Sequence, residues 1–299
     1  MAFAGTGPES VEEAARALAA AGIEARGHVG IERLVAGERL DALAVLSPHE
    51  THRVALAAAL EAGLHVLCEK PFVWGGSDVV GETRRFVDGF AARALVLREH
   101  CQWPWALPAF ESLHPGALDQ GIRRFAMRLS PGERGAAMLV DALPHPLSIV
   151  QALAGADGSG AAEEIGFPEV GDEGRRVRIV ARWVNRSSAI DVDVELVGGQ
   201  HPPREVWLEI DGRRARRLVD ASDWSFRFEG EGRSVAVPDP TALGIRDFVR
   251  SVERARNGER PPRASAIVAR MEALAAVVAA YGRATSLRAG VAASRGVQT

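Results

Sequence analysis

Lys70 is the only lysine in this 299-residue chain, so 35 of its 36 Lys and Arg side chains are arginines. A guanidinium keeps its charge at any working pH, whereas an ammonium can be tuned and can give up a proton. Lys70 lies in His65-Val66-Leu67-Cys68-Glu69-Lys70-Pro71-Phe72, a short apolar run that ends in an acid, a base and a proline. Such a run predicts a buried strand with a proton donor beside a carboxylate at its carboxyl end. Lysine-poor coding alone would also leave one survivor, and it is the setting at a strand end that favours chemistry. Asp141 and His145 form a second pair, four residues apart in a mostly apolar helical stretch. At that spacing a carboxylate and an imidazole share one helix face. Taken alone, such a pair is more often structural: His145 sits between Pro144 and Pro146 and can pack at a kink, and Asp141 can bond local backbone.

The composition sets the frame for these residues. Net charge is -3 and the pI is about 6.3, so no basic field argues for nucleic acid or anionic lipid. Cys68 and Cys101 make no disulfide framework, and no Cys/His spacing suits a metal site. No apolar run is expected to reach the roughly 20 residues needed to cross a bilayer, and the first residues lack the basic start of a signal peptide. The expectation is a reduced, soluble, cytoplasmic protein without a membrane or nucleic-acid partner.

The elements that must position Lys70 alternate. Met1 to Gly5 reads as a strand, with Ser10 capping the helix that follows. Gly5-Thr6-Gly7 has Ser10 where a third phosphate-loop glycine would stand, so a tight βα turn is expected. Ile31 to Ala36 suits a short helix, Ala42 to Leu46 a strand, Thr51 to Ala62 a helix ended by Gly63, His65 to Cys68 a strand, Ser77 to Ala92 a helix and Ala94 to Leu97 a strand. Strands that are apolar throughout predict a parallel sheet covered on both faces, with ligands outside the carboxyl ends, at Ser47-Pro48 and Glu69-Lys70.

After residue 98 the pattern changes. Trp103, Pro104, Trp105 and Pro108 mark a loop-rich passage in which the indoles are expected to pack. A strand from Ile122 to Leu129 precedes a helix from Ala136 to Leu153, and 154–174 reads as a surface loop. Val177 to Val184, Ala189 to Val197, Glu205 to Ile210 and Arg214 to Leu218 are strand-like, and Ile190, Val192, Val194 and Leu196 alternate with Asp191, Asp193 and Glu195. Strands at hairpin spacing predict an antiparallel sheet. Helices near Thr241 to Asn257 and Ala264 to Ala284 close the chain, and the tail after Gly290 reads as loose.

Three stretches resemble the Gfo/Idh/MocA oxidoreductases: Val45-Leu46-Ser47-Pro48 with His52; Ala59 through Glu69-Lys70-Pro71; and Gly132-Glu133-Arg134-Gly135 followed by Met138 to His145. The closing segment, Phe248 through Gly258 to Ala284, is similar to the family's ending. The resemblance implies an α/β fold: a Rossmann-like parallel sheet over 1–98, then an α/β domain over 99–299 whose mainly antiparallel open sheet serves for homo-oligomerisation. It implies NAD or NADP as cofactor and a small-molecule substrate. It also implies that Lys70 lies beside the nicotinamide and the reacting carbon, with His145 as general acid/base and Asp141 as its partner. Ser47, Pro48, His52 and Glu69 would join Lys70 on the cofactor side. Hydride transfer at an alcohol carbon needs a base for the hydroxyl proton, and this residue set supplies one. Redox-assisted elimination would use the same residues.

The sequence also departs from the family. Ala2-Phe3-Ala4 resembles its second strand, so the first βα unit of the Rossmann domain is expected to be missing, through an upstream segment or a real loss. Gly5 and Thr6 stand where an acid often meets the adenosine ribose, which leaves NAD and NADP both open. Arg98 to Trp103 replaces the family's Asn-x-Arg-Phe-like turn, and the stretch from Phe125 to Asp141 is short, as for a reduced substrate lid. A chain without the glycine loop could instead be a non-catalytic homologue serving as an assembly partner.

Overall fold

The computed structural model describes residues 1–119, 121–155, 158–201 and 204–295, which form two compact units. The first comprises Met1–Ser77, Gly81–Glu99 and Phe248–Ala264. Its strands are β1 (Ala2–Gly5), β2 (Arg26–Val29), β3 (Ala42–Val45), β4 (His65–Glu69) and β5 (Leu97–His100), the last running one residue beyond the unit. Helices α1 (Pro8–Ala20), α2 (Ile31–Gly37), α3 (His52–Ala62) and α4 (Val79–Ala92) alternate with them.

The parallel architecture is as expected, but it comes in two pieces. β1 pairs with β2 in one sheet, and β3, β4 and β5 form another. Burial follows the division. Val66, Cys68, Leu56, Ala59, Phe72 and Phe90 are fully buried around β4, whereas α1 has no buried residue and Leu46, just past β3, is 65% exposed. Coverage on both faces therefore holds for β4 and fails for β3, where Ala44 faces solvent. The β1–α1 turn is tight. A Cβ on Gly5 would lie 2.6 Å from Ser10 Oγ and 2.9 Å from Val11, so this position admits only glycine without a shift. The helix starts at Pro8, not after Ser10: Ser10 reaches back to accept the Gly7 N–H at 3.1 Å and donate to the Gly7 carbonyl at 2.9 Å. β2 was not foreseen, because Arg26-Gly27-His28-Val29 carries no apolar run.

The second unit holds a single eight-stranded sheet in the order β13-β12-β11-β10-β6-β9-β8-β7. Its strands are β6 (Arg124–Leu129), β7 (Ala161–Val170), β8 (Arg176–Val184), β9 (Ala189–Val197), β10 (Val206–Ile210), β11 (Arg213–Val219), β12 (Phe226–Gly230) and β13 (Arg233–Val237). β6 and β9 run parallel and the other neighbours antiparallel. The sheet is thus mixed and mostly antiparallel. β9 alternates as its sequence predicts, with Ile190, Val192, Val194 and Leu196 buried. On the opposite face Asp193 accepts two bonds from Arg178, at 2.9 and 2.8 Å, and Glu195 pairs with Arg176.

Several expectations need correction. The surface loop expected over 154–174 contains β7, an edge strand whose acids and glycine hide its period. β12 interrupts its apolar residues with Arg227 and Glu229, and β13 offers only Val235, Ala236 and Val237 as an apolar run, so neither stands out. The loop-rich passage contains α5 (Leu107–Leu113), which packs on β12 and β13. The expected helix from Ala136 to Leu153 is two, α6 (Gly135–Ala142) and α7 (Pro144–Ala154), because Pro144 has no N–H to continue the ladder. α8 (Pro240–Arg256) passes into the first unit from Phe248, and α9 (Ser265–Arg295) extends past the expected loose point at Gly290, while 296–299 lie outside the described residues. By length and composition alone, 135–154 and 265–287 are apolar enough to span a bilayer, contrary to expectation. Met138, Leu139, Ile149 and Val150, and Met271 and Leu274, are fully buried in the fold.

Candidate active site

The first unit brings Ser47, Pro48, His52, Glu69 and Lys70 together at the carboxyl ends of neighbouring parallel strands. β4 buries Val66, Leu67 and Cys68, then surfaces at Glu69 and Lys70, both half-buried. The Lys70–Pro71 peptide is cis. Three groups fix this end. Glu69 accepts the Lys70 N–H at 3.2 Å, and Glu99, at the end of β5, accepts the Phe72 N–H at 2.9 Å.

His52 is the third. Its side chain is fully buried, with Nε2 2.8 Å from the Ser47 carbonyl oxygen and Nδ1 3.1 and 3.2 Å from those of Pro71 and Phe72. The imidazole thus ties the end of β3 to the end of β4 from behind. The side chain itself does not reach the surface, so any contribution to a cofactor runs through the two loops it holds. Ser47 and Pro48 are exposed in front of it, with Thr51 donating to the Pro48 carbonyl at 2.8 Å and lying 2.6 Å from Ser47 Oγ. Burial raises the Cys68 thiol well above its ordinary pKa, and Glu99 and Glu69 add to the effect, so the only nucleophilic sulfur beside Lys70 is held as an inert thiol.

Asp141 and His145 lie in the second unit, on α6 and α7. The four-residue spacing survives the break between the helices, because Leu143 keeps right-handed helical angles (φ -65°, ψ -27°) and its N–H bonds the Leu139 carbonyl at 2.9 Å. Both side chains are half-buried. The His145 ring meets the Trp103 indole edge-on, centroids 6.4 Å apart. Trp103 is only 4% exposed, so it packs as expected. Its ring also lies 5.6 Å from the guanidinium of Arg217, on β11.

The sequence did not single out Glu99 or Arg217. Glu99 could have been found as the acid at a strand end one strand over from Lys70. Arg217 gives no signal within Arg213-Arg214-Ala215-Arg216-Arg217, because only the fold separates inward from outward arginines. Among the described residues no group of three His, Cys, Asp or Glu is arranged to hold a metal ion.

Residues 1–97 match the model of the Gfo/Idh/MocA oxidoreductase family, NAD-binding Rossmann fold. That match spans β1 through α4 and ends at the first residue of β5. No curated protein sequence matches it. Among solved structures, UDP-N-acetylglucosamine 3-dehydrogenase from Acidithiobacillus ferrooxidans is 21% identical with a TM-score of 0.63, over 91% of this chain and 87% of that one. Scyllo-inositol dehydrogenase from Lactobacillus casei is 15% identical with a TM-score of 0.66, over 95% and 88%. A lysine-to-alanine mutant of a 3-ketoreductase from Actinomadura kijaniata, in complex with TDP-benzene and NADP, is 19% identical with a TM-score of 0.61, over 93% and 87%. At these identities the likeness is one of fold.

Proposed function

We propose that the protein is an NAD(P)-dependent oxidoreductase that moves a hydride to or from a hydroxyl or carbonyl carbon of a sugar-like or cyclic polyol substrate. The observation that carries this reading is the frame around Lys70. The chain's one lysine stands at the carboxyl end of a parallel strand, in a turn whose Pro71 and Phe72 backbone is held by buried His52 and by Glu99. Such strand ends are where α/β sheets take ligands.

The residues fit a nicotinamide at this end: Ser47 and Pro48 offer an exposed edge beside β4, and Glu69 and Lys70 a charged one. Bound there, a nicotinamide nucleotide would supply or accept the hydride. Lys70 donates a hydrogen bond to the substrate oxygen and stabilises the charge that develops on it. His145 takes the hydroxyl proton in oxidation and returns it in reduction, and Asp141 orients the imidazole or binds the substrate. The β1–α1 turn fits a diphosphate less well, because the Gly7 N–H is already engaged by Ser10. That turn and the two-piece sheet favour the second reading, a non-catalytic partner of an active enzyme. Neighbours that are sugar and inositol dehydrogenases support the substrate class, and complexes with NAD+ and with NADP keep both cofactors in play.

The test is a titration with NADH and NADPH, followed by a screen of polyols and sugars for nicotinamide reduction by wild type and Lys70→Ala. Saturable binding and a turnover that falls by about 10²–10⁴-fold in the variant, with unchanged circular dichroism, are expected. A variant at wild-type rate overturns the role of Lys70. Absence of nucleotide binding selects the non-catalytic reading.

A further inference from the structure

Arg217 is out of keeping with the other arginines of its sheet. Arg214 pairs with Glu209 at 2.8 Å, Arg178 with Asp193 at 2.8 Å, and Arg227 with Glu229 at 3.2 Å, all on solvated faces. Arg217 shares its face with fully buried Ala215, and its register partners on β10 and β12 are buried Val206 and Phe228. Its guanidinium carbon lies 4.7 Å from the Phe226 ring and 5.6 Å from the Trp103 ring. Its Nε is buried without a hydrogen-bond partner, and among the described residues no carboxylate pairs with the group. Burial accordingly pushes its pKa below the usual arginine value.

Arg217 as a whole is half-buried, but its Nε is shut off from water, and a partly desolvated cation without a counter-ion is costly; the two rings return only part of that cost. A guanidinium stacked on aromatic faces still has in-plane N–H groups that suit a planar, bidentate oxyanion. The same Trp103 indole meets the His145 ring, which places the cation one aromatic ring away from the candidate general acid/base.

We infer that Arg217 anchors an anionic group, a carboxylate or a phosphate, on the substrate that reacts at His145, so that the substrate is an acidic or phosphorylated sugar-like compound and not a neutral polyol. This rests on the function proposed above, but its test does not. The full chain is titrated with sodium phosphate and separately with sodium gluconate, at ionic strength held constant with sodium chloride, while tryptophan fluorescence and the thermal midpoint are followed. Wild type is expected to bind at least one of them saturably. Phosphate alone points to a phosphorylated substrate and gluconate alone to a sugar acid. Arg217→Gln is expected to weaken binding by about tenfold or more, and Arg216→Gln, exposed on the same strand, to leave it unchanged. If Arg217→Gln does not fold, Arg217→Lys carries the test, with several-fold weaker binding expected from loss of the planar fork. No saturable binding by wild type, or unchanged affinity in the Arg217 variant that folds, overturns the inference. No nucleotide or turnover enters these readouts, so a failed hydride reaction and a failed anion site are told apart.

Discussion

The two units solve the same problem, covering a sheet, with different completeness. The eight-stranded sheet of the second unit is continuous, has one face in the core and carries cross-strand ion pairs on the other. The first unit divides its strands between two sheets, and only the piece centred on β4 is deeply buried. The contrast teaches that the chain invests its core in β4, the strand that presents Lys70, and that β1, α1 and β2 contribute little apolar burial.

The most severe test of that contrast is a pair of truncations. Phe228 is fully buried in the second unit, and Phe228→Ala is expected to cost about 3–5 kcal/mol in urea unfolding. Phe3, half-buried on β1, should cost only about 1 kcal/mol when made Ala. Equal costs would break the comparison.

A subtler effect is expected from pH. The Val96 N–H donates to His65 Nδ1 at 2.9 Å, which requires an unprotonated nitrogen. Burial lowers the His65 pKa below its ordinary 6.5; Asp41 opposes the shift and Arg256 adds to it. The unfolded chain then binds the proton more tightly, so this contribution to stability is complete above pH 6.5 and is lost as pH falls from there through the lower folded value. Hydrogen exchange, corrected for intrinsic rates, should show amides around β4 and Val96 losing protection over that range while those of β8 and β9 hold. A uniform response of both units would contradict it.

The smallest effect is on the charged face. Asp193→Asn removes the charge and one of the two oxygens that accept from Arg178 and should cost only about 0.2–1 kcal/mol, less at high salt. A loss of several kcal/mol would mean that the ladder, and not the core, holds the second sheet.

The βα alternation around Lys70 was legible because Leu43, Val45, Val66 and Leu67 form apolar runs between periodic helices. β9 was legible from its strict alternation. β7 and β12 were not, since Ala161-Ala162-Glu163-Glu164 and Phe226-Arg227-Phe228-Glu229 owe their strand conformation to neighbours and not to their own pattern. In the candidate site the sequence marked Lys70, Asp141 and His145 by residue type, spacing and family resemblance. It could not say that His52 would be buried against three carbonyl oxygens, because a histidine at a helix start looks the same whether it faces water or the core. Burial was also what set Arg217 apart from its neighbours, and burial is a property of the sheet.

The return of the chain to its first unit has a consequence during synthesis. Phe248 and Val252, on the later turns of α8, pack with Leu67 and Val96, and Arg256 and Arg263 reach Asp41 and Asp88. A nascent chain halted near Glu99 has therefore made every strand of this unit but not the helix that closes its core. Roughly 150 further residues must leave the ribosome first, which at about 5–20 residues per second takes on the order of 10 s. For that interval Leu67 and Val96 stay uncovered, which makes the half-made first unit a natural client for a chaperone. For the same reason a fragment cut at residue 99 would be a poor stand-in for the domain unless 248–264 were grafted back onto it.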